Sequence, residues 1–125
     1  EFLLDTLRAQ VNALARLQDT NSGLWHTLLD DRSSYLEASA TAGFAFGMLK
    51  GIRKRYLSSA YLPVAVKAID AVIAKIDAKG ELTQVSFGTP MGATLQFYKD
   101  IKLTSMPFGQ SMAILALTEY LNHFI

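Results

Sequence analysis

Residues 38–52 constrain the fold most, because apolar and small residues cover the whole circumference of the helix that they predict. A helix that is apolar on every side is expected to be buried on every side. Gly43, Gly47 and Gly51 recur one turn apart and predict close approach of neighbouring helices, at a cost of about 1 kcal/mol each in helix propensity relative to alanine. Too few apolar residues lie between the flanking charges for a membrane span. We therefore expect other protein segments to surround this helix.

Three further helices follow from the spacing of apolar residues. The first helix runs from Leu3 to near Asp19, with apolar residues every three or four positions on one face. The third helix follows Ser58-Ser59 and closes at Lys79-Gly80, and the fourth opens at Pro107 and continues to the end. The first and third helices are amphipathic, whereas the second and fourth are apolar and rich in small residues.

Local motifs define the segments between the helices. Ser34-Tyr-Leu-Glu37 matches a capping box and predicts that the second helix starts at Ser34. Residues 24–29 predict an extended segment. Residues 81–104 form an irregular stretch longer than a structureless connector usually is, and this makes them a candidate binding loop.

The two halves of the chain repeat one pattern. Each has an amphipathic helix, then an aspartate and a glycine before an extended piece, a loop, and a small-residue helix; Gly23 and Gly80 are 57 positions apart. We predict an all-α fold made of helical hairpins, in which the second and fourth helices form an inner layer. Two hairpins cannot cover both faces of an inner layer. Residues 1–125 are therefore predicted to be a single segment that packs against the missing amino-terminal part of the same protein or against a second copy in a homodimer.

Composition excludes several classes of function. The 125 residues carry 12 basic and 11 acidic side chains, and the only basic cluster is Arg53-Lys54-Arg55 at a predicted helix end. We therefore expect no nucleic acid partner, because such a partner needs a broad basic face. We also expect no membrane partner, because no apolar run is long enough to span a bilayer. The absence of cysteine excludes disulfides, thiolate metal sites and a cysteine nucleophile, and it leaves the cellular compartment open. His26 with one aspartate gives too few ligands for zinc, and His123 lies in the last helical turn. We predict no metal and no cofactor.

The strongest candidates for ligand contact lie before the second helix. An aromatic ring such as Trp25 can stack on a sugar, and His26 can hydrogen-bond a hydroxyl or carboxylate. The alternative is that Trp25 plugs the helix ends and that His26 bonds the backbone. The neighbours Asp30 and Asp31 are an acid and base pair in one interpretation, but adjacent residues point apart in an extended segment, and turn formation is favoured.

A second group of candidates follows from the repeat. Glu37 begins an inner helix and could reach a central cavity, although capping alone explains it. Ser86 and Thr89 belong to a polar loop in the second half, and Gln110 occupies the first turn of the fourth helix as Glu37 does for the second. These four residues join Trp25 and His26 as predicted substrate-binding positions.

The motifs together resemble a known enzyme family. Four motifs occur in order along the chain. Residues 16–31 contain Gly-Leu-Trp-His followed by Leu-Asp-Asp. The other three are Ser-Tyr-Leu-Glu at 34–37, Val-Ser-Phe-Gly-Thr at 85–89 and Phe-Gly-Gln at 108–110. Together they resemble the carboxy-terminal part of unsaturated rhamnogalacturonyl hydrolases of glycoside hydrolase family 105. That family is related to the unsaturated glucuronyl hydrolases and has a six-hairpin α/α toroid, and the resemblance covers nearly all of this chain.

The resemblance implies a specific chemistry. Such enzymes hydrate the double bond between C4 and C5 of an unsaturated galacturonyl residue on pectin fragments; an aspartic acid donates the proton, and the resulting hemiketal falls apart to release the sugar. This differs from the displacement by two carboxylates that most glycosidases use. The family's Trp-x-Asp-Thr and Arg-Gly-Asn-x-Trp motifs, both upstream of the matched region, are absent here. The resemblance therefore implies no catalytic residue in this chain, a pocket-lining role, and no activity in isolation.

A second hypothesis belongs to a different class. The chain could be a non-catalytic helical module that self-associates through its apolar inner helices. An exposed apolar patch of more than a few hundred Å² on the monomer would mark such an interface.

Overall fold

The computed structural model describes residues 1–125 and consists mainly of helices. The helices are α1 (Phe2–Leu17), α2 (Ala38–Arg53), α3 (Leu62–Ile73), α4 (Leu95–Lys99) and α5 (Pro107–Phe124), with a 3₁₀ turn at Ser59–Tyr61 before α3. The strands are β1 (Trp25–His26), β2 (Leu36–Glu37), β3 (Val85–Ser86) and β4 (Leu103–Thr104). The predicted all-α class is confirmed. None of the helices combines the length and apolar character needed to cross a bilayer.

The predicted repeat is present in the turns and in the strand pairs. Gly23 and Gly80 both adopt positive φ, at 81° and 83°. The Asp19 carboxylate accepts hydrogen bonds from the Ser22 backbone and hydroxyl, and Asp77 accepts from two backbone N–H groups in its own turn. β1 pairs antiparallel with β2, and β3 pairs antiparallel with β4. Each half therefore leads from a glycine turn into a two-stranded ribbon that ends near an inner helix.

Helix α2 is the centre of the packing and contacts α3 and α5. Its buried apolar side chains are alanines together with Met48 and Leu49, and Ser39 and Thr41 are buried as well. The apolar side chains meet Ile69 and Val72 of α3 and the buried alanines of α5 in one hydrophobic cluster. The buried carboxylate of Glu119 on α5 forms a bidentate ion pair with Arg53. Arg53 Nε donates to Oε1 at 2.6 Å, and Nη2 donates to Oε2 at 3.3 Å. These contacts fix the two inner helices against each other.

Within this chain the second helix is covered on only part of its circumference, in line with the prediction that two hairpins cannot cover both faces of the inner layer. A Cβ added at Gly47 would meet no atom within 4 Å, and Phe44 and Phe46 are only half-buried. Close approach is seen at Gly51, where a Cβ would lie 2.6 Å from Leu57, and at Gly109, where it would lie 2.8 Å from Val85. The apolar character of α2 thus exceeds what α3 and α5 cover.

Two predicted helix boundaries need correction. The capping box does not form: Ser34 Oγ donates to the Asp31 carbonyl and accepts from the Leu28 N–H, and α2 begins only at Ala38. Residues 36–37 are instead taken up by pairing with β1. The third helix ends at Ile73 rather than near Lys79, because the chain folds back and the Lys75 carbonyl accepts from Thr83.

Candidate functional site

A cleft of about 330 Å³ lies where β1 and β3 meet the first turns of α2 and α5. Both repeats contribute to its walls. It brings together four of the six predicted site residues, namely His26, Glu37, Ser86 and Thr89. The other principal lining residues are Leu29, Ser39, Phe44 and Phe108.

His26 is held by one ring nitrogen and leaves the other free. Its Nδ1 lies 2.6 Å from the Ser34 carbonyl oxygen. A carbonyl can only accept, so Nδ1 carries the proton, and Nε2 of the neutral ring is a free acceptor. The position of His26 at the end of β1, opposite Leu36, fixes the ring relative to the cleft. The alternative that His26 bonds the backbone therefore holds for Nδ1, whereas Nε2 remains available to a ligand.

Glu37 joins the two repeats beneath the cleft. Its Oε1 accepts from Ser39 Oγ at 2.7 Å and from the Ser86 backbone N–H at 3.0 Å, and its Oε2 accepts from the Ala40 N–H at 2.6 Å. The side chain is 5% exposed. A buried carboxylate with several donors is a stable structural acceptor. Glu37 is thus the N-cap of α2 and also the tie that positions β3.

Ser86 and Thr89 supply hydroxyl groups from the second repeat. Ser86 is buried, and its Oγ lies 2.7 Å from the Tyr35 hydroxyl, where either group can donate. When Tyr35 donates, the Ser86 proton is free to point elsewhere. Thr89 is exposed at the edge of the cleft. The cleft therefore has one wall of hydroxyl groups beside the imidazole of His26.

Trp25 and Gln110 do not line this cleft. Trp25 is 1% exposed, and its indole N–H donates to the Leu14 carbonyl at 2.9 Å, so the ring fills the core between helices. Gln110 accepts from the Leu82 N–H and donates to the Gly80 carbonyl, both within the chain. The polar groups of both side chains are engaged in holding the fold. The alternative that Trp25 plugs the helix ends therefore matches the observed position of its ring.

Asp31 forms a turn, as favoured from the sequence, and it also anchors α4. Its Oδ1 accepts from the Ser33 hydroxyl and N–H, and its Oδ2 lies 3.2 Å from Lys99 Nζ. These partners, with the Ser33 hydroxyl contributing most, lower the pKa of Asp31 to about 2. Lys99 also donates to Ser33 Oγ at 2.6 Å. This contact links the loop between β1 and β2 to the long loop between β3 and β4.

Sequence reasoning missed the aromatic wall of the cleft. Phe44 and Phe108 come from α2 and α5, and Phe108 is 43% exposed. The signal that could have found Phe108 is its place immediately after Pro107 in the first turn of an inner helix, two positions before Gln110. No three side chains of histidine, cysteine, aspartate or glutamate cluster in a way that could hold a metal ion.

A family model places this chain among known proteins. The model of Glycosyl Hydrolase Family 88 matches residues 1–124. The chain belongs to this family. Among curated relatives of the family 88 chain, the unsaturated rhamnogalacturonyl hydrolase YesR of Bacillus subtilis is 36% identical over 118 residues. This match covers 94% of the chain and 32% of YesR.

Solved structures give the same answer for the family 88 chain. Crystal structures of possible members of the GH105 family from Klebsiella pneumoniae and Salmonella enterica are each 60% identical, with a TM-score of 0.96. Each match covers 99% of the chain and 32% of the solved chain. A family 105 glycoside hydrolase from C. acetobutylicum is 27% identical, with a TM-score of 0.81 over 90% of this chain and 35% of the solved chain. The predicted resemblance and the α/α toroid fold are confirmed, and the chain spans about a third of the length of these relatives.

Proposed function

We propose that this chain forms part of the substrate pocket of a hydrolase that removes unsaturated galacturonyl residues from rhamnogalacturonan fragments. One observation carries the proposal: the cleft combines a free imidazole nitrogen, hydroxyl groups and an aromatic wall in a family 88 chain. Sugar sites need this mixture, because a pyranose ring presents hydroxyls at its edge and apolar C–H groups on its faces. The substrate class follows YesR, an unsaturated rhamnogalacturonyl hydrolase.

The polar wall would hold the edge of the unsaturated ring. Neutral His26 accepts a hydrogen bond from a sugar hydroxyl at Nε2, and the protonated ring donates to a carboxylate. Ser86 and Thr89 can donate to the same uronate from the second repeat. The Ser34 carbonyl prevents the imidazole from flipping, so its free nitrogen is positioned before the substrate arrives. Preorganised groups lose little conformational entropy on binding.

The aromatic wall would pack against an apolar face of the sugar. Phe108 is partly exposed in the cleft, and Phe44 is held edge-on against the ring of Trp25 at 5.3 Å between centroids. Trp25 thus contributes indirectly, as a buried support for the wall. Stacking on an aromatic ring orients the sugar plane relative to the hydroxyl groups opposite.

Glu37 serves this pocket as a positioning residue and not as the acid. Both of its oxygens accept hydrogen bonds from the chain, and one of those donors is the N–H of Ser86. Asp31 is tied to Ser33 and Lys99 and does not line the cleft. We therefore assign proton donation to an aspartate outside these 125 residues, as the resemblance implies.

Turnover of an unsaturated galacturonyl-rhamnose disaccharide tests the proposal. Hydration removes the double bond conjugated with the carboxylate, so ultraviolet absorbance falls as the reaction proceeds. The full-length protein that carries this chain should consume the signal, and the chain alone should not. Phe108→Ala in the full-length protein should raise KM, whereas Phe124→Ala at the far end of α5 should leave it unchanged. Turnover by the chain alone would contradict the assignment of the acid.

The second candidate function, self-association, has its own supporting observation. Four large side chains of α5 are 45 to 58% exposed although they are aliphatic or aromatic: Ile114, Leu115, Leu121 and Phe124. A second copy in a homodimer would cover them, as would further hairpins of a longer protein. Sedimentation of the isolated chain distinguishes these cases, because a stable monomer at micromolar concentration would contradict the homodimer.

A further inference from the structure

A groove that shares no lining residue with the candidate cleft is larger than that cleft. It has a volume of about 610 Å³ and lies between α1 and the segment that leads into α3. The polar side chains of α1 in the groove are Arg8, Asn12 and Arg16. Opposite them are Tyr56, Ser58 and Tyr61. The groove therefore combines two guanidinium groups with two phenol rings.

Several polar groups of this groove have no partner within the chain. Arg16 takes part in none of the ion pairs, whereas Arg8 contacts Glu1 and Asp5. Arg8 Nε also donates to the Tyr56 carbonyl and so joins the two sides of the groove. The hydroxyls of the two tyrosines and the Asn12 amide are likewise free of protein partners. One arginine thus builds the groove, and the other remains available to bind.

We propose that this groove is a second, non-catalytic binding site for uronate-containing oligosaccharides. The Arg16 guanidinium matches a carboxylate with two parallel hydrogen bonds. The rings of Tyr56 and Tyr61 offer faces for sugar C–H groups, and their hydroxyls and the Asn12 amide suit sugar hydroxyls. The combination requires a ligand that carries both a carboxylate and sugar rings.

The charge distribution argues against nucleic acid at the same place. The net charge of the chain is +1, and Glu1 and Asp5 sit beside Arg8 at one end of the groove. Nucleic acid binding depends on many phosphate contacts over a broad basic face. A groove with one free arginine suits the lower charge density of a uronate chain.

A smaller depression shares lining residues with both the groove and the candidate cleft. Arg16 also lines a depression of about 120 Å³ together with Arg32, His26 and Leu29. His26 and Leu29 line the cleft as well. The binding itself does not depend on the hydrolase activity proposed above.

Calorimetric titration of the full-length protein with a saturated oligogalacturonate tests the inference. Arg16→Ala should weaken binding at least about tenfold, because hydrogen bonds to a charged group contribute strongly. Asn12→Asp should also weaken it, since it adds a negative charge to the groove. Lys79→Ala removes one exposed positive charge in the other repeat and should bind as the wild type does. Circular dichroism of each variant establishes that the fold is retained.

Three results would overturn the inference. Arg16→Ala and Asn12→Asp could both bind as the wild type does, a neutral galactan oligosaccharide of equal length could bind equally well, or a short single-stranded oligonucleotide could bind more tightly. Turnover of the unsaturated disaccharide separates this inference from the proposed function, because Arg16→Ala should not change it. Oligogalacturonate binding without turnover by the wild type would refute only the proposed function.

Discussion

Alanine at Gly23 should destabilise the fold more than alanine at Gly80, although the two glycines occupy equivalent turns. Both have positive φ, at 81° and 83°. A Cβ at Gly23 would lie 2.7 Å from the backbone carbonyl oxygen of Lys67 and 3.3 Å from Ala71 Cβ, whereas a Cβ at Gly80 would meet nothing within 4 Å. The pair therefore separates the conformational cost of the turn from the steric cost of packing against α3.

The magnitudes follow from these two terms. A left-handed conformation costs an L-residue about 1–2 kcal/mol, and this is the whole expected loss for Gly80→Ala. Overpacking against an immobile neighbour adds about 1–3 kcal/mol, so Gly23→Ala should lose about 2–5 kcal/mol. Urea unfolding followed by circular dichroism measures both values. Equal losses in the two variants would refute the packing of α3 on the first turn.

Three further predictions concern other contacts of the fold. Arg53→Met should lower the urea midpoint more than Glu119→Gln does, because it strands a buried carboxylate. Asp31→Asn should destabilise the protein at neutral pH. Because the pKa of Asp31 is lowered from 3.8 to about 2, the ionised carboxylate contributes fully to the free energy of unfolding above pH 3.8, and this contribution is lost toward pH 2. The urea midpoints of the variant and the wild type should therefore converge near pH 2. Trp25→Phe should lose about 1–3 kcal/mol of stability in urea unfolding, because it removes the buried indole N–H that donates to the Leu14 carbonyl.

The helices and the repeat could be predicted from sequence because both depend on local signals. Apolar spacing fixed the approximate extents of α1 and α5, and the aspartate and glycine turns identified the two halves. The start of α2 could not be predicted this way. Residues 34–37 satisfy a local capping rule, yet β1 lies alongside and pairs with residues 36–37. A contact between distant segments here overrode the local preference.

The candidate site was predictable in part for the same reason. His26 and Ser86 lie at equivalent ends of β1 and β3. The sequence repeat therefore predicted that both residues border one cavity, and both line the observed cleft. The burial of Trp25 depends on α1, whose Leu14 carbonyl receives the indole N–H. The exposure of Phe108 depends on how α5 packs against β3. The spacing of neighbouring residues predicts neither the burial of Trp25 nor the exposure of Phe108.

Replacement of His26 by alanine tests the central claim most directly. His26→Ala in the full-length protein should lower kcat/KM for the unsaturated disaccharide about tenfold or more, through loss of a hydrogen bond to the substrate. His123→Ala makes the same chemical change in the last turn of α5 and should leave kcat/KM at the wild-type value. Equal activity of the His26 variant and the wild type would contradict the claim that this cleft is part of the substrate pocket.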